Sequence, residues 1–325
     1  MGVKTYYDSD AGAPVLTGNA AGELLNLLTK CLVEGYGAKT SLGWQMLGPT
    51  AHKAAYRATA PGASGCWLHV NDAGPGAHGY REARARGYRE IASLDGAGEP
   101  VSATTPFPTT AQLSAGVIWR RSNTADATAR RWALYGDERF FQLWVDSGYG
   151  DNHYDGLLFG DVAEQGPVAV TLIAGRHLEA ATGLVTTASQ VGAIRGATPG
   201  TQNGHYASTA AGESVTAGKL GNTLYTPATG AAVIGFQGLT FPNPHDLRAF
   251  LAPIELYGDS AGVYGAVPGL YQPYHARPLV DRTPVEVIEG PLAGRTLVTQ
   301  AVAGNTSSAE TNTGRAWIDV TGPWR

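Results

Sequence analysis

Residues 131–146 have the sequence RWALYGDERFFQLWVD, and this stretch decides which class of fold the chain adopts. Two runs rich in aromatic and aliphatic residues, 131–135 and 139–146, flank Gly136-Asp137-Glu138, which is a typical tight-turn sequence. We therefore predict a β-hairpin from Trp132 to Val145. The run 115–121 has the same character and is joined to the hairpin by the small, polar segment 122–130. We expect these three runs to form an antiparallel meander.

Short apolar runs of the same kind recur along the chain and predict further strands. They occupy residues 65–71, 168–175, 232–234, 249–257, 285–288, 296–302 and 316–320. Residues 80–91 (YREARARGYREI) are ambiguous, because they suit an amphipathic helix with i,i+4 charge pairs but also alternate as a strand would. Gly87 and the neighbouring Trp-rich run favour a strand.

One segment has a helical period. Residues 20–34 (AAGELLNLLTKCLVE) carry apolar side chains on one face, with Asn19 suited to cap the start and Gly35 suited to the end. We predict a helix over 20–34 that braces the N-terminal portion and packs on a sheet containing Trp119 and Trp132. The stripe that makes this contact consists of Leu24, Leu28, Cys31 and Leu32.

The composition agrees with a turn-rich β protein. Glycine and proline supply 63 of the 325 residues, about a fifth, where ~12% is typical, and only 15% of the chain is charged. Because 43% of the residues are hydrophobic, the chain can bury a core, which argues against disorder. We predict a mainly β fold (a β-rich α+β fold) of antiparallel, sandwich-like sheets, with one N-terminal helix and long Gly/Ala/Thr-rich loops. The expected organisation is a β-rich domain at 1–178, an extended arm at 179–230 and a C-terminal β portion at 231–325 that packs on the first.

Charge and targeting signals narrow the setting. The net charge of −4 and the pI near 6.1 argue against a protein that grips nucleic acid. The N-terminal sequence lacks the apolar core of a signal peptide, and no window approaches the ~20 apolar residues of a membrane span. We expect synthesis and assembly in the cytoplasm. Cys31 and Cys66 are expected to be buried, reduced thiols.

The motif Gly258-Asp259-Ser260-Ala261-Gly262 matches G-x-S-x-G, which holds the nucleophile of α/β-hydrolases on a strand-to-helix turn. The following sequence, VYGAVPGLYQP, is too rich in glycine and proline to form that helix. His275 follows too closely for the acid-then-histidine order of that triad. We interpret this motif as a glycine-rich turn.

Other candidate sites are weaker. The oxygen-rich stretch 151–156 (DNHYDG) lacks the calcium-loop pattern and is expected to be a solvated turn. The eight histidines never form an H-x-x-x-H pair. We predict no catalytic, cofactor-binding or metal-ligating residues. The densest positive groups are expected to form inter-subunit salt bridges or solvated strand faces; they comprise Arg81, Arg84, Arg86, Arg89, Arg120, Arg121, Arg130 and Arg131.

Both ends of the chain resemble a family of tailed-bacteriophage and prophage virion proteins. The resemblance is carried by residues 6–44, by the spacer Asn71-Asp72-Ala73-Gly74 with REARARGY at 81–88, and by the segment 115–143. It continues in VPGLYQPYHARPL at 267–279, GRTLV at 294–298 and the terminal ID-x-x-GPW at 318–324. It covers roughly residues 5–176 and 263–325. Its motifs are glycine, proline and aromatic scaffolding residues, so it transfers no catalytic residue.

The resemblance implies a non-enzymatic structural component of a virion, assembled in the bacterial host cytoplasm. We expect a multimeric ring in the tail, head–tail connector or baseplate region, built from copies of the chain and other virion proteins. A capsid-surface decoration protein is the main alternative. From another class, a surface module that binds or cleaves host glycan is also considered, although no pair of acids for glycan cleavage is visible.

Overall fold

The computed structural model describes residues 2–74, 79–102, 104–111, 115–122, 124–147, 154–164, 170–175, 205–209, 215–217, 219–221, 251–258, 262–273, 280–301 and 315–324. Within these ranges the chain is mainly β, as predicted. The strands are β1 (Lys4–Tyr7), β2 (Gln45–Thr50), β3 (Lys53–Arg57), β4 (Trp67–Asn71), β5 (Glu82–Tyr88), β6 (Ser93–Leu94), β7 (Pro100–Val101), β8 (Val117–Arg120), β9 (Trp132–Gly136), β10 (Phe140–Asp146), β11 (Tyr154–Asp161), β12 (Ala163–Glu164), β13 (Val170–Ala174), β14 (His205–Thr209), β15 (Val215–Ala217), β16 (Lys219–Gly221), β17 (Leu251–Gly258), β18 (Gly262–Pro273), β19 (Pro284–Glu286), β20 (Thr296–Ala301) and β21 (Arg315–Asp319).

The strands form three large antiparallel sheets. Sheet I has the order β1-β9-β10-β11-β13-β14-β15. Sheet II has the order β16-β17-β18-β21-β20-β19, with β12 also paired to β18, and sheet III has the order β2-β3-β4-β5-β8. The short strands β6 and β7 pair only with each other among the described residues.

Sheet I lies between two hydrophobic cores, since alternate side chains along its strands point to opposite faces and enter different cores. In β9, Trp132 and Leu134 belong to the first core, which also contains the helix and one face of sheet III. Ala133 and Tyr135 belong to the second core, which sheet I shares with sheet II. The predicted hairpin of β9 and β10 is confirmed, and it is buried on both faces.

The predicted three-stranded meander is wrong for its first strand, β8, which lies in a different sheet from β9 and β10. β8 pairs with β5 in sheet III, whereas β9 pairs with β1 and β10 in sheet I. The pairing of β8 places Trp119 opposite Ala83 and Val117 opposite Ala85, all of them in the first core. Small alanines beside larger side chains let the core face pack closely, which favours β5 as the neighbour of β8.

The helix is shorter than predicted and begins differently. An α-helix (Glu23–Leu28, α1) continues as a π-helical segment (Thr29–Glu34). Asn19 is not the N-cap: Gly22 occupies that position with φ 81°, and the carboxylate of Asp72 accepts a hydrogen bond from the Leu24 N–H at 2.8 Å. A carboxylate brought from another part of the fold therefore replaces the local cap.

The predicted apolar stripe of the helix is buried as expected, and all four of its side chains have no exposed surface. The stripe lies in the first core together with Trp119 and Trp132. These two tryptophans belong to sheets III and I respectively, so the expectation of a single sheet under the helix is corrected. The helix braces two sheets at once.

Most predicted strands are confirmed, with shifts of a few residues at their ends. Residues 82–88 form β5, so the ambiguous segment is a strand. The predicted arm at 179–230 is corrected in part, because β14 pairs with β13 in sheet I and β16 pairs with β17 in sheet II. The rest of that span and the predicted strand at 232–234 lie outside the described residues.

Gly87 is a position where the fold requires the absence of a side chain. It exchanges two backbone hydrogen bonds with the fully buried Phe107, at 2.7 and 2.8 Å. A Cβ at Gly87 would lie 2.2 Å from the Phe107 ring. We expect Gly87→Ala to lower the free energy of unfolding by about 1–3 kcal/mol through overpacking. Denaturant melts check this against Gly96→Ala, where a Cβ meets no atom within 4 Å; equal stability of the two variants would contradict it.

Candidate functional site

The serine motif lies between two paired strands. Gly258 of β17 is the register partner of Gly262 of β18, and Gly262–Pro273 continues as a strand. A nucleophile turn of the hydrolase kind requires a helix at this position. Ser260 lies outside the described residues.

The predicted solvated turn at 151–156 is corrected at its second half. Residues 154–156 belong to β11, and Asp155 is buried opposite Val145 of β10. Residues 151–153 lie outside the described residues. Across the part of the chain that the structure describes, no group of three or more histidine, cysteine, aspartate or glutamate side chains is placed to hold a metal ion.

Both cysteines are buried and free, as predicted. Burial raises the pKa of the Cys31 thiol well above its usual value and also raises that of Cys66. The nucleophilic form of cysteine is the thiolate, which burial disfavours. The two thiols therefore act as small core side chains rather than as reactive groups.

Two of the predicted surface arginines are buried. Arg121 has no exposed surface, and its Nη1 donates to both carboxylate oxygens of Asp72 at 2.8 and 2.9 Å. Its Nη2 donates to the backbone oxygen of Ala20. Arg120 is also buried. The expectation of a solvated or inter-subunit role is therefore wrong for these two residues.

The topology of sheet III explains the buried ion pair. β4 and β8 are both antiparallel to β5, so they run in the same direction, and their C-terminal ends lie at the same end of the sheet. Asp72 follows β4 directly and Arg121 follows β8 directly, which brings them together beneath the start of α1. Burial raises the pKa of Asp72 to about 6, opposed by Arg121 and by the backbone N–H of Leu24. The Arg121 guanidinium and the Leu24 N–H both favour the ionised form of this carboxyl group.

A polar cleft of about 250 Å³ lies on the face of sheet III that points away from the first core. It combines side chains from β4 and β5 with one from the turn between β6 and β7. We call it the polar cleft, and its lining includes the polar side chains of His69, Asn71, Arg84, Arg86, Tyr88 and Glu99. Two guanidinium groups, an imidazole, an amide, a phenol and a carboxylate therefore meet around one cavity.

A second, wider groove of about 530 Å³ runs beside the helix. It lies between the exposed side of the helix and the β2–β3 hairpin. Its lining includes Leu25, Thr29, Lys30, Met46 and His52. The lining mixes apolar and polar groups, and its hydrogen-bond donors do not point to one common position as those of a small-molecule site do.

A third feature is the exposed hairpin, residues 284–298, at the edge of sheet II. Its tip is closed by the hydrogen bonds from Val287 N–H to Arg295 O and from Gly294 N–H to Val287 O, both 2.8 Å. Within the tip, Ile288 is 84% exposed. A large aliphatic side chain is therefore presented on a closed, well-bonded turn.

The exposed hairpin is anchored to the rest of the molecule just before it begins. The Arg282 guanidinium pairs with Asp8 at 2.7 Å and donates to the backbone oxygen of Trp132 at 2.9 Å. On the other arm, the Arg295 guanidinium pairs with Asp319 at 3.0 Å. Because both arms are held, the tip has a defined position.

Sequence reasoning missed these surfaces. The alternation of REARARGY placed Arg84 and Arg86 on one face of a strand, but nothing local indicated that His69 and Glu99 would join them. The run at 285–288 predicted a strand, but β19 ends at Glu286 and Ile288 lies in the exposed turn that follows.

Comparison with known proteins adds no assignment, since no protein-family model matches the chain and no curated protein is significantly similar to it. Within the described residues, no helix is sufficiently long and apolar to cross a lipid bilayer.

Proposed function

We propose that this chain is a non-enzymatic structural subunit of a tailed-phage virion that assembles with copies of itself and with other virion proteins. The observation that carries the proposal is the exposed hairpin, which presents Ile288 on an anchored turn at a sheet edge. The resemblance of both chain ends to phage virion proteins supports the same role.

The exposed hairpin suits contact through side chains better than strand addition. β19 has only three residues and begins with Pro284, which has no N–H to donate to an added strand. Val280, just before the hairpin, is 78% exposed, so two large aliphatic side chains of this region face solvent in the single chain. A subunit that is repeated in a particle buries such groups against its neighbours.

A ring in the tail, head–tail connector or baseplate region is the assembly that we favour, with capsid-surface decoration as the alternative placement. In a ring, the exposed hairpin of one copy would contact a different surface of the next, which is a heterologous interface that closes by rotation. Mass spectrometry of separated heads and tails distinguishes the two placements. Contact with a host surface is compatible with either.

We expect Ile288→Asp to abolish self-association of the purified chain. A buried aspartate at the interface would have to lose its hydration without a partner, whereas in the single chain Ile288 supports no core. Sedimentation velocity over a range of concentrations measures the association, and denaturant melts should show unchanged stability of the variant.

Val101→Asp is the matched control, because Val101 is also exposed, at 49%, but lies in the β6–β7 pair beside sheet III and not in sheet II. The control should associate like the unmodified chain. A chain that stays monomeric at every concentration, or an Ile288→Asp variant that associates normally, would count against the proposal.

A further inference from the structure

In the polar cleft, two arginines of β5 lie opposite a histidine and an asparagine of β4. In the register of β4 and β5, His69 lies opposite Arg86 and Asn71 opposite Arg84. Arg84 and Arg86 are two residues apart on one strand, so they share a face of the sheet. The positive charge of Arg86 disfavours the charged form of Arg84, and it therefore contributes to lowering the pKa of Arg84.

Arg84 has weak charge compensation. Its side chain is only 12% exposed, and burial is the main cause of its lowered pKa. Its Nη2 lies 4.0 Å from the Glu82 carboxylate, at the outer limit of an ion pair. Its Nε is enclosed and has no hydrogen-bond acceptor among the described residues. A partly desolvated cation of this kind gains from an additional anion placed at its terminal nitrogens.

Arg86 is held in place at the cleft. Its Nη1 donates to the backbone oxygen of Pro108 at 2.7 Å. An anion between Arg84 and Arg86 would therefore meet a guanidinium whose position is already set, and would also relieve the repulsion between the two cations. Preorganised charged donors favour binding because little side-chain freedom is lost.

The cleft also contains hydrogen-bond acceptors. His69 Nε2 lies 2.9 Å from the Gly98 carbonyl oxygen and must donate to it, while burial lowers the pKa of the ring and keeps it neutral. The other ring nitrogen, Nδ1, is then an acceptor. The Glu99 carboxylate, paired with Lys53 at 2.5 Å, is a second acceptor. A dianion such as phosphate would be repelled by Glu99, whereas hydroxyl groups could donate to both acceptors.

Asn71 and Tyr88 complete the set. Asn71 Oδ1 accepts from the Ala73 N–H at 3.1 Å, which leaves the amide NH₂ to donate to a ligand. Tyr88 contributes a half-buried ring and a hydroxyl. The cavity of about 250 Å³ is smaller than the ~300–1,000 Å³ of drug-sized sites, which suits a ligand of one ring.

We propose that the polar cleft binds a hydroxylated carboxylate the size of one sugar ring, such as a uronic acid residue of an acidic polysaccharide. The carboxylate pairs with Arg84 and Arg86, and the hydroxyl groups bond to Glu99, His69 and Asn71. This site goes beyond the proposed assembly role and does not depend on it, because the cleft is formed within one chain.

Titration calorimetry of the purified full-length chain with sodium glucuronate tests the proposal. We expect saturable binding of glucuronate, with no binding of the neutral sugar glucose and weaker binding of sulfate. Glucose lacks the anion that Arg84 requires, and sulfate lacks hydroxyl groups for the acceptors. Sulfate binding as tight as glucuronate binding would overturn the proposal, as would absence of glucuronate binding.

Arg84→Met tests the central contact, and Arg89→Met is its matched control. Both variants remove one positive charge from the same segment, but Arg89 is exposed and is not part of the cleft lining. We expect Arg84→Met to weaken glucuronate binding at least about tenfold, which is the effect of losing about 1.4 kcal/mol. Arg89→Met should bind as the unmodified chain does. Equal losses in the two variants would indicate non-specific charge attraction and overturn the proposal.

Hydrogen–deuterium exchange of the unmodified chain provides a test that needs no variant. Saturating glucuronate should slow exchange in peptides that contain residues 67–71 and 82–88, relative to glucose at the same concentration. Protection elsewhere, or none, would contradict the proposed location even if Arg84→Met failed to fold.

Discussion

Replacing Arg121 with methionine is expected to lower the free energy of unfolding by about 3–5 kcal/mol, the usual cost of removing one partner from a buried ion pair. Arg121 and Asp72 both have no exposed surface, and the guanidinium bonds to both carboxylate oxygens. Methionine fills much of the volume but leaves the Asp72 carboxylate buried and uncompensated. The same carboxylate caps the start of α1 through the Leu24 N–H, so the loss should loosen the helix as well.

Denaturant melts of the purified chain measure this effect, and Lys30→Met serves as the control. Lys30 pairs with Glu34 at 2.6 Å, but the two side chains are 39% and 51% exposed. Exposed pairs of this kind contribute about 0–1 kcal/mol, so the control should stay near the stability of the unmodified chain. An Arg121→Met variant that is as stable as Lys30→Met would refute the structural role of the pair.

A double variant separates the charge from the packing. Arg121→Met with Asp72→Asn removes both charges, while the asparagine oxygen can still accept from the Leu24 N–H. We therefore expect the double variant to be more stable than Arg121→Met alone, because the lone buried charge is gone.

Leu28→Ala is expected to lower the free energy of unfolding by about 2–5 kcal/mol, the range measured for truncation of a buried leucine. Leu28 has no exposed surface and lies in the first core, between sheets III and I. The lost methyl groups leave a cavity that two sheets and a helix can close only in part. This is a large share of the ~5–15 kcal/mol that stabilises a typical domain, so soluble yield should also fall.

Asn26→Ala, at an exposed position of the same helix, is the control and should change stability little. The competing interpretation of the stripe is that it docks a partner subunit. An unchanged denaturation midpoint in Leu28→Ala, together with lost self-association, would show that the stripe forms a subunit interface rather than part of the core.

Local periodicity was sufficient to predict the class of the fold and its central element. The hairpin of β9 and β10 is encoded by two runs of large apolar residues around a tight turn, and both signals lie within sixteen residues. The apolar stripe of residues 24–32 was predictable for the same reason. Where the signal was not local, prediction failed: residues 154–156 belong to a buried strand although the motif DNHYDG resembles a turn.

The partner of each strand and the environment of each charge were decided only by the tertiary structure. Nothing near β8 indicates that it joins β5 rather than β9, because pairing depends on which distant side chains share the core. In the sequence, Arg121 cannot be distinguished from a surface arginine. Only the fold buries it beside Asp72, which is 49 positions away along the chain. The polar cleft follows the same principle, since Glu99 and His69 meet the arginines of β5 only after the sheet has formed. The sequence by itself therefore determined a mainly β chain with one buried helical stripe, because those patterns repeat over a few residues. Only the fold determined the buried ion pair and the cleft, because burial and charge proximity depend on contacts between distant segments.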